Sequence, residues 1–149
     1  MKADNRGVQI TREYFRYKRT VDRHNYADST TEVLKGNVKV GEEILVKLSL
    51  QADHDYEYMI VEDPLPSGFE VVTDPVDQYE WNYWYCRREV RDEKVAFFST
   101  WLWKGKREIY YMIRAEVPAS LQVSPAQSWA MYLPEIRGNT TGSFLTVTD

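Results

Sequence analysis

The chain has 149 residues, of which 43% are apolar and 28% charged, a composition that excludes both a disordered and a membrane-embedded chain. Its net charge of −4, from 19 basic and 23 acidic residues, argues against nucleic-acid binding. No apolar run approaches the ~20 residues of a membrane span. A single cysteine excludes internal disulfides, and two histidines are few for metal or proton chemistry. We therefore expect no enzyme activity, no metal and no cofactor.

Residue types that favour strands outnumber those that favour helices. Val, Ile and Thr total 31 and Phe, Trp and Tyr total 21, against 17 for Ala and Leu together. Branched and aromatic side chains fit a pleated, half-buried surface, whereas Ala and Leu favour helix. Because the composition is even and contains no repeat, we predict a single all-β domain over residues 1–149, built as a two-sheet antiparallel β-sandwich.

The individual strands are predicted from apolar–polar alternation interrupted by turn residues. In the clearest example Ile44, Val46, Leu48 and Leu50 share one face. The predicted strands are 8–17, 43–50, 56–62, 69–72, 79–85, 89–91, 94–101, 107–115, 121–123, 128–132 and 143–147.

Two connections are predicted specifically. The polar stretch 18–31 lacks any period and is predicted to be a loop. The segment 103–106 contains Gly105 between two alternating segments, which predicts a hairpin that pairs strand 94–101 with strand 107–115.

Acidic residues concentrate between positions 51 and 80, where nine of them occur without any Lys or Arg. A solvated sheet edge that blocks aggregation explains this pattern, and so does a partner-facing surface or a cation site around Asp53 and Asp55. The solvated edge is preferred, because Asp53-His54-Asp55 lacks the ligand spacing of a calcium loop.

The densest aromatic segment places Tyr79, Trp81, Tyr83 and Tyr85 on one face of a strand. If that face is exposed, it forms a platform on which sugar rings can stack. If it is buried, it belongs to the sandwich core or to an interdomain face, which is the preferred interpretation. The alternative function is therefore a carbohydrate-binding or structural immunoglobulin-like module of an envelope protein.

Motifs for nucleophilic catalysis are absent from the sequence, which has no Gly-x-Ser-x-Gly, phosphate-binding glycine loop or His-Glu-x-x-His. Neither histidine lies in a recognisable partner motif for Cys86. We interpret Cys86 as a buried structural thiol.

Six segments of recognisable sequence follow one another over nearly the whole chain: 10–15, 40–46, 61–70, 89–98, 110–115 and 131–138. The most specific are Asp63-Pro64-Leu65-Pro66-Ser67-Gly68-Phe69-Glu70 and Met131-Tyr132-Leu133-Pro134-Glu135. The order of these motifs resembles the C-terminal macroglobulin domain of bacterial α2-macroglobulins.

The resemblance implies a macroglobulin- or immunoglobulin-like sandwich within a much longer protease inhibitor of the periplasm, cell envelope or extracellular space. In that family a bait region is cleaved, and a thioester in a separate helical domain captures the protease. The last macroglobulin domain packs on the thioester domain and shields the thioester. The implied partners are the thioester domain and other macroglobulin domains of the parent, with target proteases bound through the parent. The chain's start has no secretory apolar segment, as expected of an excised domain.

The resemblance also assigns residues. The thioester motif Cys-x-Glu-Gln is missing, and Cys86-Arg87-Arg88-Glu89 does not replace it, so this domain alone cannot trap a protease covalently. The Met-Tyr pair of the last signature is the family's candidate lid, which places shielding on Met131 and Tyr132. The alternative is that both are ordinary residues at a strand end before Pro134.

Overall fold

The computed structural model describes residues 4–21, 27–34, 37–72 and 86–149, with the backbone alone over 18–21 and 27–32. Every regular element in these ranges is a strand, which confirms the all-β class. The strands are β1 (Asn5–Arg6), β2 (Val8–Val21), β3 (Ala27–Val33), β4 (Asn37–Lys39), β5 (Glu43–Ala52), β6 (Tyr56–Pro64), β7 (Phe69–Val72), β8 (Arg87–Val90), β9 (Lys94–Leu102), β10 (Gly105–Ala115), β11 (Ala119–Val123), β12 (Gln127–Ala130), β13 (Leu133–Asn139) and β14 (Ser143–Thr148).

These strands form three sheets. Sheet A has the order β1-β13-β12-β6-β9-β8, sheet B the order β3-β2-β5-β10-β7, and sheet C the order β11-β14-β4. All pairs between named strands are antiparallel except β14–β4, which is parallel. The predicted sandwich therefore carries a third, small sheet that sequence analysis did not anticipate.

One continuous apolar core joins the three sheets. Its members include Ile10 and Leu48 of sheet B, Phe97 of sheet A and Leu145 of sheet C, all at most 2% exposed. The Phe97 ring lies 5.7 Å from that of Tyr111 on β10, which shows sheets A and B in face-to-face contact. The face predicted for Ile44, Val46, Leu48 and Leu50 is confirmed, because all four belong to this core.

Sheet B is apolar on its other face as well. Tyr17, Leu45 and Met112 form a second buried cluster there, and Phe15 and Val72 pack against it. Strand β5 is therefore buried on both faces along part of its length, with Leu45 pointing away from the main core.

The prediction of a loop over 18–31 is wrong for residues 18–21 and 27–31, which lie in strands, while residues 22–26 lie outside the described ranges. Strand β2 continues to Val21, and β3 pairs with it from Phe15 opposite Val33 to Val21 opposite Ala27. Strand β3 lies at the edge of sheet B. Backbone hydrogen bonds alone can hold such an edge ribbon, so the absence of an apolar period did not exclude strands.

The predicted hairpin between 94–101 and 107–115 is also wrong. Strand β9 pairs with β6 and β8 in sheet A, whereas β10 pairs with β5 and β7 in sheet B. The chain crosses between the sheets at Trp103 and Lys104, and Gly105 follows with φ +113. Both strands carry the apolar residues of a central strand, and each pairs with two partners within its own sheet.

Strand β13 is absent from the predicted strands, because it contains Pro134 and Gly138, residue types that are typical of turns. Gly138 is required by a close approach, because a Cβ built there would lie 2.4 Å from the carbonyl oxygen of Val8. This contact lets β13 cross directly over the start of β2.

Candidate functional site

An apolar tip projects from the end of sheet A at the connection between β12 and β13. Ala130 pairs with Leu133, so Met131 and Tyr132 form the turn between the strands. Met131, Tyr132 and Leu133 are 44%, 71% and 50% exposed. Turn positions ordinarily carry Gly, Asn, Asp or Pro, so two large apolar side chains here expose surface that the turn itself does not require. We call Met131, Tyr132 and Leu133 the β12–β13 tip.

An irregularity in the pairing of β12 with β13 sets the position of the tip. The register between β12 and β13 shifts between Trp129 and Ala130. Such irregularities bend a strand and redirect the side chains beyond them. The predicted strand over 128–132 accordingly ends at Ala130, and neither Met131 nor Tyr132 is a strand residue.

Tyr58 on β6 supports the tip from the neighbouring strand. Its carbonyl oxygen accepts a 2.9 Å hydrogen bond from the backbone N–H of Met131. Its ring meets that of Tyr132 edge to face, with centroids 5.2 Å apart and planes at 85°. Tyr58 has φ +52, and no other described non-glycine residue has a positive φ. A left-handed backbone costs an L-residue about 1–2 kcal/mol.

A buried polar network fixes the opposite half of β6. Arg12 donates to Asp63 at 2.6 Å, and both side chains are 1% exposed. The Tyr111 hydroxyl also donates to Asp63. Arg12 further donates to the carbonyl oxygen of Ser124 and to the hydroxyl of Ser143. The network thus ties β2, β6, β10 and β14 together around one carboxylate.

The electrostatics of this network follow from its burial. Burial raises the pKa of Tyr111 well above its ordinary value, and the negative charge of Asp63 raises it further. For Arg12, burial alone lowers the pKa, but Asp63 and the nearby tyrosines outweigh it and raise the pKa overall. The guanidinium therefore stays charged.

Asp53 and Asp55 have separate roles at the turn between β5 and β6. Asp53 accepts from the Tyr56 hydroxyl and lies 3.1 Å from Nδ1 of His54, and these partners hold its pKa below the ordinary range. Asp55 accepts a 2.7 Å hydrogen bond from the backbone N–H of Lys104. Among the residues the structure describes, no three potential metal ligands come together.

The other sequence-predicted candidates stand apart from the tip. Tyr79, Trp81, Tyr83 and Tyr85 lie outside the described residues, so the aromatic platform stays a prediction. Cys86 is partly buried, and burial raises the pKa of its thiol to about 11.

Sequence analysis missed two residues of this region, Tyr58 and Leu133. Leu133 lies in the signature segment 131–135, but the resemblance assigns shielding to Met131 and Tyr132 alone. Tyr58 lies near the start of the predicted strand 56–62, where nothing in the alternation marks its unusual backbone.

The described strands form a β-sandwich with an exposed apolar tip, and α2-macroglobulins contain domains of the same fold. Native α2-macroglobulin from Escherichia coli, in a structure from domain MG7 to the C-terminus, matches 99% of this chain with a TM-score of 0.78 and 19% identity. The matched region is 24% of that chain.

The model of the family described as the bacterial α2-macroglobulin MG10 domain matches residues 7–135, and the chain belongs to this family. The α2-macroglobulin of Thermotoga maritima is 27% identical over 124 residues, covering 75% of this chain and 8% of that protein. Circularly permutated Ras protein 2 of Dictyostelium discoideum is 30% identical over 134 residues, covering 90% of this chain and 3% of that protein.

The chain thus spans under a tenth of the length of these two relatives. Within the described ranges, no helix is long and apolar enough to cross a membrane.

Proposed function

We propose that this domain is a non-catalytic part of a bacterial α2-macroglobulin that packs on the thioester domain and shields the thioester. The carrying observation is the β12–β13 tip, where the Met-Tyr pair of the family signature is 44% and 71% exposed. Family membership supplies the context. Exposure is required for this role, because side chains buried inside the sandwich cannot contact another domain.

The chemistry of the tip suits this role. A thioester survives only where water and amines are excluded, so its cover has to be apolar. Methionine adapts to an irregular surface, and tyrosine adds a broad ring with a polar end. Leu133 extends the apolar surface beyond the pair. An exposed apolar patch of this kind on a free module marks an interaction site.

The remaining chemistry of the domain supports a non-catalytic role. A thiol reacts as its thiolate, and the pKa of about 11 keeps Cys86 protonated at neutral pH. Asp63 is enclosed by Arg12 and Tyr111, where no substrate can reach it. Protease capture therefore belongs to other parts of the parent, and the partners of this domain are the thioester domain and other macroglobulin domains, in the periplasm or cell envelope.

The test is the thioester lifetime of a parent protein that carries Tyr132→Ala. We expect faster spontaneous hydrolysis and faster reaction with methylamine, without unfolding of this domain. Phe144→Ala is the matched control, because Phe144 is 64% exposed on sheet C and lies outside the tip. A Tyr132→Ala parent whose thioester lives as long as that of the unaltered protein would refute the proposal.

A further inference from the structure

Tyr58 combines three properties that rarely occur together. Its backbone is left-handed, its side chain is an aromatic ring, and the residue is 43% exposed. Residues in this conformation are usually Gly, Asn or Asp, since a bulky side chain is strained there. Strain of this type persists where the surrounding structure imposes it, and it concentrates at functional sites.

Part of the explanation lies in the path of β6. Tyr56 packs against the main core, and Met59, three residues later, belongs to it. A regular strand would place residues three apart on opposite faces. The left-handed residue between them lets both reach the core. This accounts for the left-handed backbone. Glycine or asparagine would adopt that conformation with less strain, so the presence of an aromatic ring needs a separate explanation.

The contacts of Tyr58 supply that explanation. Tyr58 makes two contacts with the turn: its carbonyl oxygen accepts a hydrogen bond from the N–H of Met131, and its ring meets the ring of Tyr132. The edge-to-face arrangement leaves Tyr132 71% exposed, so the contact orients that side chain without covering it. A preoriented aromatic side chain loses less conformational freedom when a partner binds.

We infer that Tyr58 is a positioning residue for the shielding contact: it holds Tyr132 in the orientation that the thioester domain receives. This inference rests on the proposed function. Tyr58 acts through Tyr132 and Met131, so its removal should matter only while Tyr132 is present. If Tyr58 instead contributed to folding in general, its removal would have an effect whether or not Tyr132 is present.

The experiment is a double-mutant cycle in a parent protein with an intact thioester, with the rate of methylamine reaction as the readout. Tyr58→Asn keeps a residue that tolerates the left-handed backbone but removes the ring, and Tyr58→Phe keeps the ring. We expect Tyr58→Asn to accelerate the reaction several-fold, toward the rate of Tyr132→Ala, and Tyr58→Phe to leave it unchanged. Adding Tyr58→Asn to Tyr132→Ala should accelerate it no further, because the two residues act as one unit.

The same variants of the 149-residue chain provide a readout that does not require the thioester. In Tyr58→Asn we expect faster hydrogen exchange at the Met131 amide and a changed NMR shift of the Tyr132 ring, with the exchange of core amides unaltered. Phe144→Asn is the control for loss of an exposed aromatic side chain. Exchange that rises throughout the core would indicate a folding role and overturn the inference.

The outcomes separate the two proposals. If Tyr132→Ala shortens the thioester lifetime and Tyr58→Asn does not, the positioning role is wrong and the shielding role stands. Additive effects in the double variant also overturn positioning. If Tyr132→Ala itself has no effect, the shielding proposal fails, and the positioning role in shielding fails with it.

Discussion

The interior of the domain and its β12–β13 tip distribute polarity in opposite ways. Around Asp63 a charged pair is enclosed in the core, with both side chains 1% exposed. At the tip, large apolar side chains face outward, with Tyr132 71% exposed. Strand β6 connects the two regions, since it carries both Asp63 and Tyr58.

The two regions obtain their stabilising contacts from different places. The Asp63 carboxylate has its partners within the domain, in Arg12 and Tyr111, and these fix how the strands meet. Buried charge is tolerable only with such partners. The tip has apolar surface beyond what the described part of the domain covers. The first region therefore serves the fold, and the second is suited to another surface.

The largest effect should come from breaking the interior pair. Arg12→Ala leaves the buried carboxylate without its counter-charge, and loss of one partner of a buried ion pair costs about 3–5 kcal/mol. Urea denaturation should show this as a lower midpoint with an unchanged m-value. Arg114→Ala is the control, because its 2.7 Å pair with Glu116 is exposed and its loss should matter little. Equal losses for the two variants would contradict the assignment of the network to stability.

A smaller loss of stability should follow from Gly138→Ala, which tests the strand that runs from the tip across β2. Strand β13 begins at the tip and then crosses β2, where the added Cβ would lie 2.4 Å from the carbonyl oxygen of Val8. Backbone must shift to admit the methyl group, which by analogy with overpacked cores costs about 1–3 kcal/mol. The control is Gly142→Ala, whose closest contact is 3.3 Å. A stable Gly138→Ala variant would show that β13 can move freely over β2.

The interior was partly predictable from sequence, because burial leaves a periodic trace. The alternation over 43–50 located a core strand, and the bounds of Phe69–Val72 were predicted correctly. The pattern could not indicate which strands pair with each other. Strands β9 and β10 have similar alternation, and nothing local indicates that the chain crosses between sheets at Lys104.

The tip was predictable only through the resemblance. Met131 and Tyr132 have no periodicity that marks them as exposed, and by alternation alone they continued the strand over 128–132. Tyr58 was beyond prediction, since its role depends on a backbone angle and on a turn more than seventy residues away. Contacts between distant segments leave no signal in a single sequence.

Alkaline pH should lower the stability of the domain, in part through the buried Tyr111. Burial, with the charge of Asp63, holds the pKa of Tyr111 well above the ordinary tyrosine value of about 10. A group whose pKa is raised in the folded state contributes stability that is present below the unfolded pKa and lost as pH rises above it. The free energy of unfolding, measured from pH 8 to 11, should therefore decline above about pH 10.

Tyr111→Phe sharpens this test. The variant should lose about 1–3 kcal/mol at neutral pH, because Asp63 loses a hydrogen-bond donor in a buried site. Its decline above pH 10 should be shallower, since one group that ionises on unfolding is gone. An unchanged alkaline slope would mean that Tyr111 does not contribute to the loss of stability.

The smallest effect on stability is expected at the tip, and it tests the comparison most directly. Tyr132→Ala removes a ring that is 71% exposed and touches Tyr58 edge to face, so the free energy of unfolding should change by no more than about 0.5 kcal/mol. The free energies of unfolding of Tyr132→Ala and Phe97→Ala should be compared by urea denaturation. Phe97 is 1% exposed in the core, and its truncation should cost about 3–5 kcal/mol. If Tyr132→Ala were nearly as costly as Phe97→Ala, the ring would be part of the fold, and any change in thioester lifetime could be an effect of unfolding. If Tyr132→Ala hardly changes the free energy of unfolding, a shorter thioester lifetime reports the loss of contact with the partner alone.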